Sequence, residues 1–353
     1  MTGIVWRGMT RAELDKAYDN TNAVADSGTR RDGWIARSER FRASHAESLD
    51  LAYGPLPRNK LDLFRCGAAK APLFAFIHGG YWQRNAKETF ACMAAGPLAN
   101  GMDVAFLGYT LAPEATLPAI VEEIAEAVRW LRREGPRHGV AQDRLVVSGW
   151  SAGGHLTATT LALDEVDAGL AISGIYDVEP CRLNYLNDKL HLTAEEAART
   201  SPLLHLPKKS APVVLAYGTG ELPELQRQSV AYHDARRAAG LPSELLPLAG
   251  LNHFSIMDEL EASGGALATA ATRLARGDGW RSENRSFGFL MPKAPRASAD
   301  MRSTGRCSAA FDVRGAAALY CSDHRSGDGN QLMADFVLRE LVNRRLVTQR
   351  AGR

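Results

Sequence analysis

The chain has 353 residues and a mass of 38.2 kDa, is 45% hydrophobic and carries a formal net charge of +2. That is enough apolar sequence for a full core, as one domain with appendages or as two, and the near-neutral balance argues against a nucleic-acid binder. No run approaches the roughly 18 to 20 apolar residues of a membrane span, and the N-terminus lacks a signal peptide's apolar core, so a cytoplasmic protein without membrane contact is expected.

Residues 1–48 are polar and Ala-rich after a short lead and contain no strand-like run, which predicts one or two short helices on the body, anchored by Tyr18, Trp34 and Phe41. The catalytic body is expected over 49–275. Leu61 and Leu63 alternate with Lys60 and Asp62 as an early edge strand would, and residues 72–77 form an uninterrupted apolar strand. That strand runs into His78-Gly79-Gly80-Tyr81-Trp82-Gln83-Arg84. Paired glycines at a strand end let backbone N–H groups turn toward a ligand, so those of Gly80 and Tyr81 are candidate oxyanion donors. The alternative is a packed turn at His78 that merely begins a loop. A helix is predicted over 85–99, a strand over 104–107, and a helix over about 119–133 with Val121, Ile124, Ala125 and Val128 on one face. Such alternation predicts a mostly parallel sheet covered on both sides.

Residues 144–156 carry the chemistry. Leu145, Val146 and Val147 read as a buried strand, a helix is expected from 153 to 163, and Gly149-Trp150-Ser151-Ala152-Gly153 lies between them. This G-x-S-x-G spacing holds a serine on a strained turn, with glycines that let strand and helix approach. The Ala152 N–H, at the helix start, is the third oxyanion donor. His155, one turn on, is expected to pack or hydrogen-bond.

A short strand over 169–172 leads to Ser173-Gly174-Ile175-Tyr176-Asp177, and the segment 178–209, with Tyr185, is placed to line or cover a pocket or simply to pack. After a strand over 212–217, Glu221 stands where the acid of a Ser, acid, His set belongs, with Glu224 and Asp177 as rivals. A last strand over 244–248, in which Pro247 favours an edge, precedes His253. A serine hydroxyl near its free pKa needs an adjacent base, and an imidazole oriented by a carboxylate supplies it. His78, Trp82, Gln83, Arg84, Trp150, Tyr176 and Tyr185 are the candidate substrate contacts.

No metal-ligand set and no dinucleotide or Walker fingerprint is found, so no cofactor is implied. Five cysteines, Cys66, Cys92, Cys181, Cys307 and Cys321, have irregular spacing and read as buried small apolar residues. A helix over about 257–274 closes the body. Residues 276–353 form a basic Gly, Ser and Arg-rich extension, with 13 Lys and Arg against 8 Asp and Glu from Gly277 onward. Its apolar spacing over 331–347 predicts a helix that docks on the body or on a second subunit, leaving a homo-oligomer open.

Taken together, these motifs resemble the α/β-hydrolase superfamily over about residues 50–275. The chain order Ser151, Glu221, His253 and the stretch Gly149 to His155 are similar to that superfamily. His78-Gly79-Gly80-Tyr81-Trp82 resembles the corresponding loop of arylformamidases, within a kynurenine-formamidase-like and hormone-sensitive-lipase-like branch. Tyr109-x-Leu111-Ala112-Pro113-Glu114 is similar in both groups, and Gly218 to Glu224 followed by Gln228 resembles the acid loop of the formamidase-like members. There the acid is usually Asp, so Glu221 is a departure. The resemblance implies a cofactor-free serine hydrolase acting on a small molecule, an aryl formamide such as N-formylkynurenine or, alternatively, a small ester. The alternative from another class is an inactive hydrolase body used for binding.

Overall fold

A hairpin precedes the helices at the start of the chain. In the computed structural model, which describes residues 3–45, 48–141 and 143–278, β1 (Ile4–Trp6) and β2 (Met9–Thr10) pair antiparallel, followed by α1 (Arg11–Ala17), α2 (Asn20–Ala23) and the 17-residue α3 (Ser27–Ala43). The chain continues through β3 (Leu51–Ala52), β4 (Lys60–Phe64), β5 (Leu73–Ile77), a 3-10 helix (Lys87–Ala94), α4 (Ala95–Ala99), β6 (Asp103–Leu107), α5 (Leu117–Glu134), β7 (Leu145–Trp150), α6 (Ala152–Thr160) and β8 (Ala168–Ile172). Then come α7 (Glu179–Arg182), α8 (Asn187–Leu190), α9 (Ala194–Arg199), β9 (Val213–Gly218), α10 (Pro223–Ala238), β10 (Ser243–Leu248), α11 (Asp258–Glu261) and α12 (Ala266–Arg276). Most of the extension expected from 276, including the helix predicted over 331–347 and two of the cysteines, lies outside the described residues.

Strands β3 to β10 form one sheet in the order β10-β9-β8-β7-β5-β6-β4-β3. From β10 to β6 every neighbouring pair is parallel, whereas β4 and β3 join antiparallel. The five residues of β5, Leu-Phe-Ala-Phe-Ile, are all buried because helices cover both faces of the sheet. Helix α5 is capped by Thr116, whose hydroxyl accepts from Ala119 N, and buries Leu117, Ile120, Ile124, Val128 and Leu131. This is the α/β-hydrolase fold, with a mostly parallel sheet, and it gathers the carboxyl ends of β5, β7, β8, β9 and β10 along one edge.

Several local expectations are corrected. The stretch 85–99 is mainly 3-10 helix, because it follows the neighbouring α3, whose Ser38 hydroxyl donates to Thr89 O and accepts from Cys92 N. The helix predicted over 257–274 is interrupted at 262–265. Ser263, Gly264 and Gly265 are poor helix formers, and the Glu259 carboxylate caps the new start at Ala266 N, 2.7 Å away. The N-terminal helices are not all short: α3 brings Trp34 into the core at 1% exposure.

Strand β4 is not the half-exposed edge that Lys60 and Asp62 suggest. Short β3 forms the edge, and Asp62 is fully buried. Its carboxylate accepts from Lys87 Nζ at 2.7 Å, from Asp50 N at 2.9 Å and from Arg42 Nη1. Buried Lys87 also bonds Asp50 and Glu88, each at 2.7 Å, and holds the Asp50 carboxyl below its ordinary range. A charge stripped of its buried partner stays desolvated at a cost of several kcal/mol. Asp62→Ala is therefore expected to lower the unfolding free energy by about 3 kcal/mol, read from urea titration of variant and wild type.

Candidate active site

Ser151 stands at the carboxyl end of β7 with φ 59° and ψ −118°, a backbone conformation uncommon outside glycine. Two hydrogen bonds hold it there: Ser151 N donates to Ile172 O at 2.8 Å, and His155 N reaches back to Ser151 O at 3.1 Å. The flanking glycines are set by contact. A Cβ on Gly153 would lie 2.0 Å from Ile77 O, and one on Gly149 would lie 2.3 Å from Gly153 O. On the other side, a Cβ on Gly79 would fall 2.6 Å from Trp150 O and 3.0 Å from Ser151 Cβ. The loop after β5 thus rests directly on the serine turn.

Of the three candidate acids, Glu221 is the one that reaches His253. Its Oε2 accepts from His253 Nδ1 at 2.8 Å, while Oε1 accepts from Ser173 Oγ at 2.6 Å and Gly218 N at 2.7 Å. Glu224 instead forms a two-point pair with Arg227 at 2.9 and 2.8 Å. Asp177 accepts from Glu179 N at 3.1 Å, and burial raises its carboxyl. His253 packs against Trp150, ring centroids 4.8 Å apart, and its carbonyl accepts from Trp150 Nε1 at 2.8 Å. This sets the imidazole beside the residue that precedes Ser151. Among the described residues Ser151 Oγ has no hydrogen-bond partner. Ser151, Glu221 and His253 are 3%, 5% and 3% exposed, so the set is almost enclosed.

The N–H groups of Gly80, Tyr81 and Ala152 are likewise unpaired among the described residues, as donors awaiting an oxyanion would be. Tyr81 and Trp82 both have left-handed backbones, φ 51° and 58°, and each is secured at its far end. Tyr81 Oη donates to Tyr18 O at 2.6 Å and accepts from Asn20 Nδ2 at 2.8 Å. Trp82 Nε1 donates to His155 Nδ1 at 3.2 Å, and His155 Nε2 donates to Thr200 O at 2.7 Å. Both rings turn into the core, Tyr81 at 4% and Trp82 at 0% exposure. His155 is the hydrogen-bonding residue expected.

The remaining candidates divide. His78 is fully buried between Tyr109 and Phe90, with ring centroids 4.3 and 6.1 Å away, and Tyr176 is fully buried against Tyr232 at 4.5 Å. Both serve as packing. Trp150 is 3% exposed and is used as the wall behind His253. Gln83 ties the loop to the 178–209 segment through Leu186 O at 2.7 Å. Arg84 is exposed and lies within electrostatic reach of Tyr81 and Tyr185. Tyr185 is half-buried, its phenol pushed up to about 12 by burial, and its N–H donates to Asp15 at 2.8 Å.

Contacts not anticipated are those of Ser173, Asn20 and the bridging Gln228. Gln228 Oε1 accepts from Tyr176 N and Asp177 N, and its amide donates to the Tyr18 hydroxyl at 2.7 Å. Only chain folding brings α1, β8 and α10 to these meetings, so no local pattern signals them. Among the described residues no three His, Cys, Asp or Glu stand close enough to hold a metal ion. A surface cavity of about 390 Å³ is walled by α5, α6, residues 199–207 and Tyr232, and contains none of the three site residues.

The chain is similar to known proteins on several levels. A family profile described as BD-FAE matches residues 61–177. The kynurenine formamidase of Danio rerio is 28% identical over 276 residues, covering 72% of this chain and 93% of its own, and that of Salmo salar is 28% identical over the same shares. Among solved structures, a putative thioesterase from Silicibacter sp. TM1040 superimposes with a TM-score of 0.67 at 28% identity, covering 73% of this chain and 98% of that one.

Burial lowers the imidazoles of His78 and His155 to about 4, so both are neutral in the fold through pH values where an unfolded histidine is protonated. Their contribution to stability is present above about pH 6.5 and is lost as pH falls from there toward 4, each adding a slope of up to about 1.4 kcal/mol per pH unit. Urea unfolding measured across pH 4 to 7.5 is expected to show this decline, with a shallower slope in His155→Gln.

Proposed function

We propose that this chain, a member of the α/β-hydrolase superfamily homologous at moderate identity to esterase- and formamidase-type enzymes, is a serine-dependent acyl hydrolase for a small aryl formamide of the N-formylkynurenine kind. The observation that carries the reading is the Glu221 to His253 bond, with His253 packed against the residue preceding a strained, enclosed Ser151. Similarity to two kynurenine formamidases supports the substrate class. So does the near closure around Ser151, which suits a one-carbon acyl group.

In this mechanism His253 Nε2 takes the Ser151 proton as Oγ attacks the formyl carbon, and the carbonyl oxygen becomes an oxyanion facing the N–H groups of Gly80, Tyr81 and Ala152. Glu221 stabilises the imidazolium through Nδ1. Collapse of the intermediate breaks the C–N bond as His253 gives its proton to the departing aryl amine, leaving a formyl ester on Ser151. Water, deprotonated by His253, then releases formate and regenerates the serine. No step calls on a cofactor. We assign Arg84 and Tyr185 to a polar head group on the substrate.

A second reading, a carboxylesterase for small acyl esters, draws on the likeness to the putative thioesterase, because the same groups cleave an ester with an easier leaving group. Steady-state kcat/KM on N-formyl-L-kynurenine and p-nitrophenyl acetate separates the two. The expected result is a preference for the formamide, with both activities falling by about a thousandfold or more in Ser151→Ala. Ester turnover without formamide turnover selects the esterase, and a folded protein inert to both substrates and to a fluorophosphonate would mark a binding protein instead.

A further inference from the structure

We propose that Ser173 is a positioning residue for this reaction, fixing one oxygen of the Glu221 carboxylate so that the other is presented to His253. The inference rests on the reading of Ser151, His253 and Glu221 as the acyl-transfer set. Nothing in that reading requires a second serine.

A glutamate at this position has a difficulty that an aspartate would not. Its carboxylate sits on a stem with one more rotatable bond, in surroundings that leave the side chain fully buried and without bulk water to solvate the charge. Two donors meet these demands on Oε1, the Ser173 hydroxyl at 2.6 Å and Gly218 N–H at 2.7 Å, and Oε2 is left to His253 at 2.8 Å. The Gly218 bond is local, three residues away. The Ser173 bond crosses from the end of β8 to the end of β9 and spans 48 positions in the chain, so it ties the acid to the strand beside the serine turn.

The backbone adds a second, independent observation. Ser173 is fully buried and has φ 51°, in the left-handed region that a glycine occupies without cost. Its N–H is used, donating to Ala216 O at 2.7 Å. A side chain standing where glycine would be easier is accounted for by the bond its hydroxyl makes to the acid.

A positioning role differs from packing in its pH signature. With His253 neutral, the Glu221 and His253 pair carries one negative charge, and with His253 protonated it carries none. A donor on Oε1 stabilises the charged form more, so its removal raises the proton affinity of the pair. Among the described residues the other titratable group facing Glu221 is Tyr176, whose phenol is held protonated by burial and stays neutral through the range concerned. Loss of the hydroxyl is thus expected to move the acidic limb of kcat/KM upward by about one pH unit, with activity down about tenfold near pH 6, recovering toward pH 8.5, and KM nearly unchanged.

The test compares full-length wild type, Ser173→Ala, Ser173→Gly and Ser151→Ala on p-nitrophenyl acetate from pH 5.5 to 8.5, with fluorophosphonate labelling rates over the same series as a readout of the serine alone. Glycine suits the φ of 51°, so Ser173→Gly removes the hydroxyl without backbone strain and covers the case in which the alanine variant folds poorly. The same upward shift in Ser173→Gly turnover and labelling supports the role. A wild-type limb, or a loss equal at every pH, overturns it while Ser151→Ala remains inactive. Full turnover by Ser151→Ala would instead overturn the acyl-transfer reading itself, and the role of Ser173 with it.

Discussion

The contact between the Ser151 turn and the end of β5 is the constraint from which the rest of the site follows. Backbone meets backbone there, with Ile77 O, Gly149 and Gly153 so close that no Cβ fits between them. Because the strand and α6 approach this tightly, the serine is driven to a positive φ, and its hydroxyl stands at the sheet edge where the loops after β8, β9 and β10 converge. Gly79 extends the same contact to the loop after β5, which places the unpaired N–H groups of Gly80 and Tyr81 beside the turn. One close approach thus serves both the candidate nucleophile and the candidate oxyanion donors.

Such a turn stores strain, and the surrounding structure has to hold it. The tethers come from parts of the chain distant in sequence. Tyr81 is held by Tyr18 and Asn20 at the start of the protein, Trp82 by His155 on α6, and Gln83 by Leu186 in the 178–209 segment. Trp34 on α3 stacks on Phe254 at 6.0 Å and meets Trp150 edge-on at 5.6 Å, bracing the two residues next to His253 and Ser151. The first helices of the chain are therefore part of the framework of the site.

Charge is distributed with the same economy. The buried Lys87, Asp62 and Arg42 group lies just after the β5 loop and locks α3 to the sheet, whereas among the described residues Glu221 receives only neutral donors and an imidazole. That difference matters chemically. A carboxylate matched by a fixed cation would have little field left to stabilise a new positive charge, and one held by a hydroxyl and an N–H keeps it for His253.

The elements that chemistry marks locally were legible in the sequence. The G-x-S-x-G turn, the glycine pair at the end of an apolar strand, and the succession of strands and helices follow from short-range sterics and hydrophobic period, so the fold class, Ser151 and the position of His253 could be read without coordinates. Long-range meetings could not. Which of Glu221, Glu224 and Asp177 reaches the imidazole depends on how β8, β9 and β10 align, and the inward turn of Trp82 depends on His155 being there to accept its N–H. Asp62 looked like a solvent-facing strand residue because alternation records only a strand's own pattern, and the cations that bury it come from α3 and the 3-10 helix. Ser173 was one serine in a strand-end loop until the sheet brought it to Glu221. The sequence by itself determined the chemistry on offer, because reactive side chains and turn glycines act over a few residues. The partners of each group were decided by tertiary structure, because a hydrogen bond at 2.6 Å between residues 48 positions apart exists only once the sheet has closed the distance.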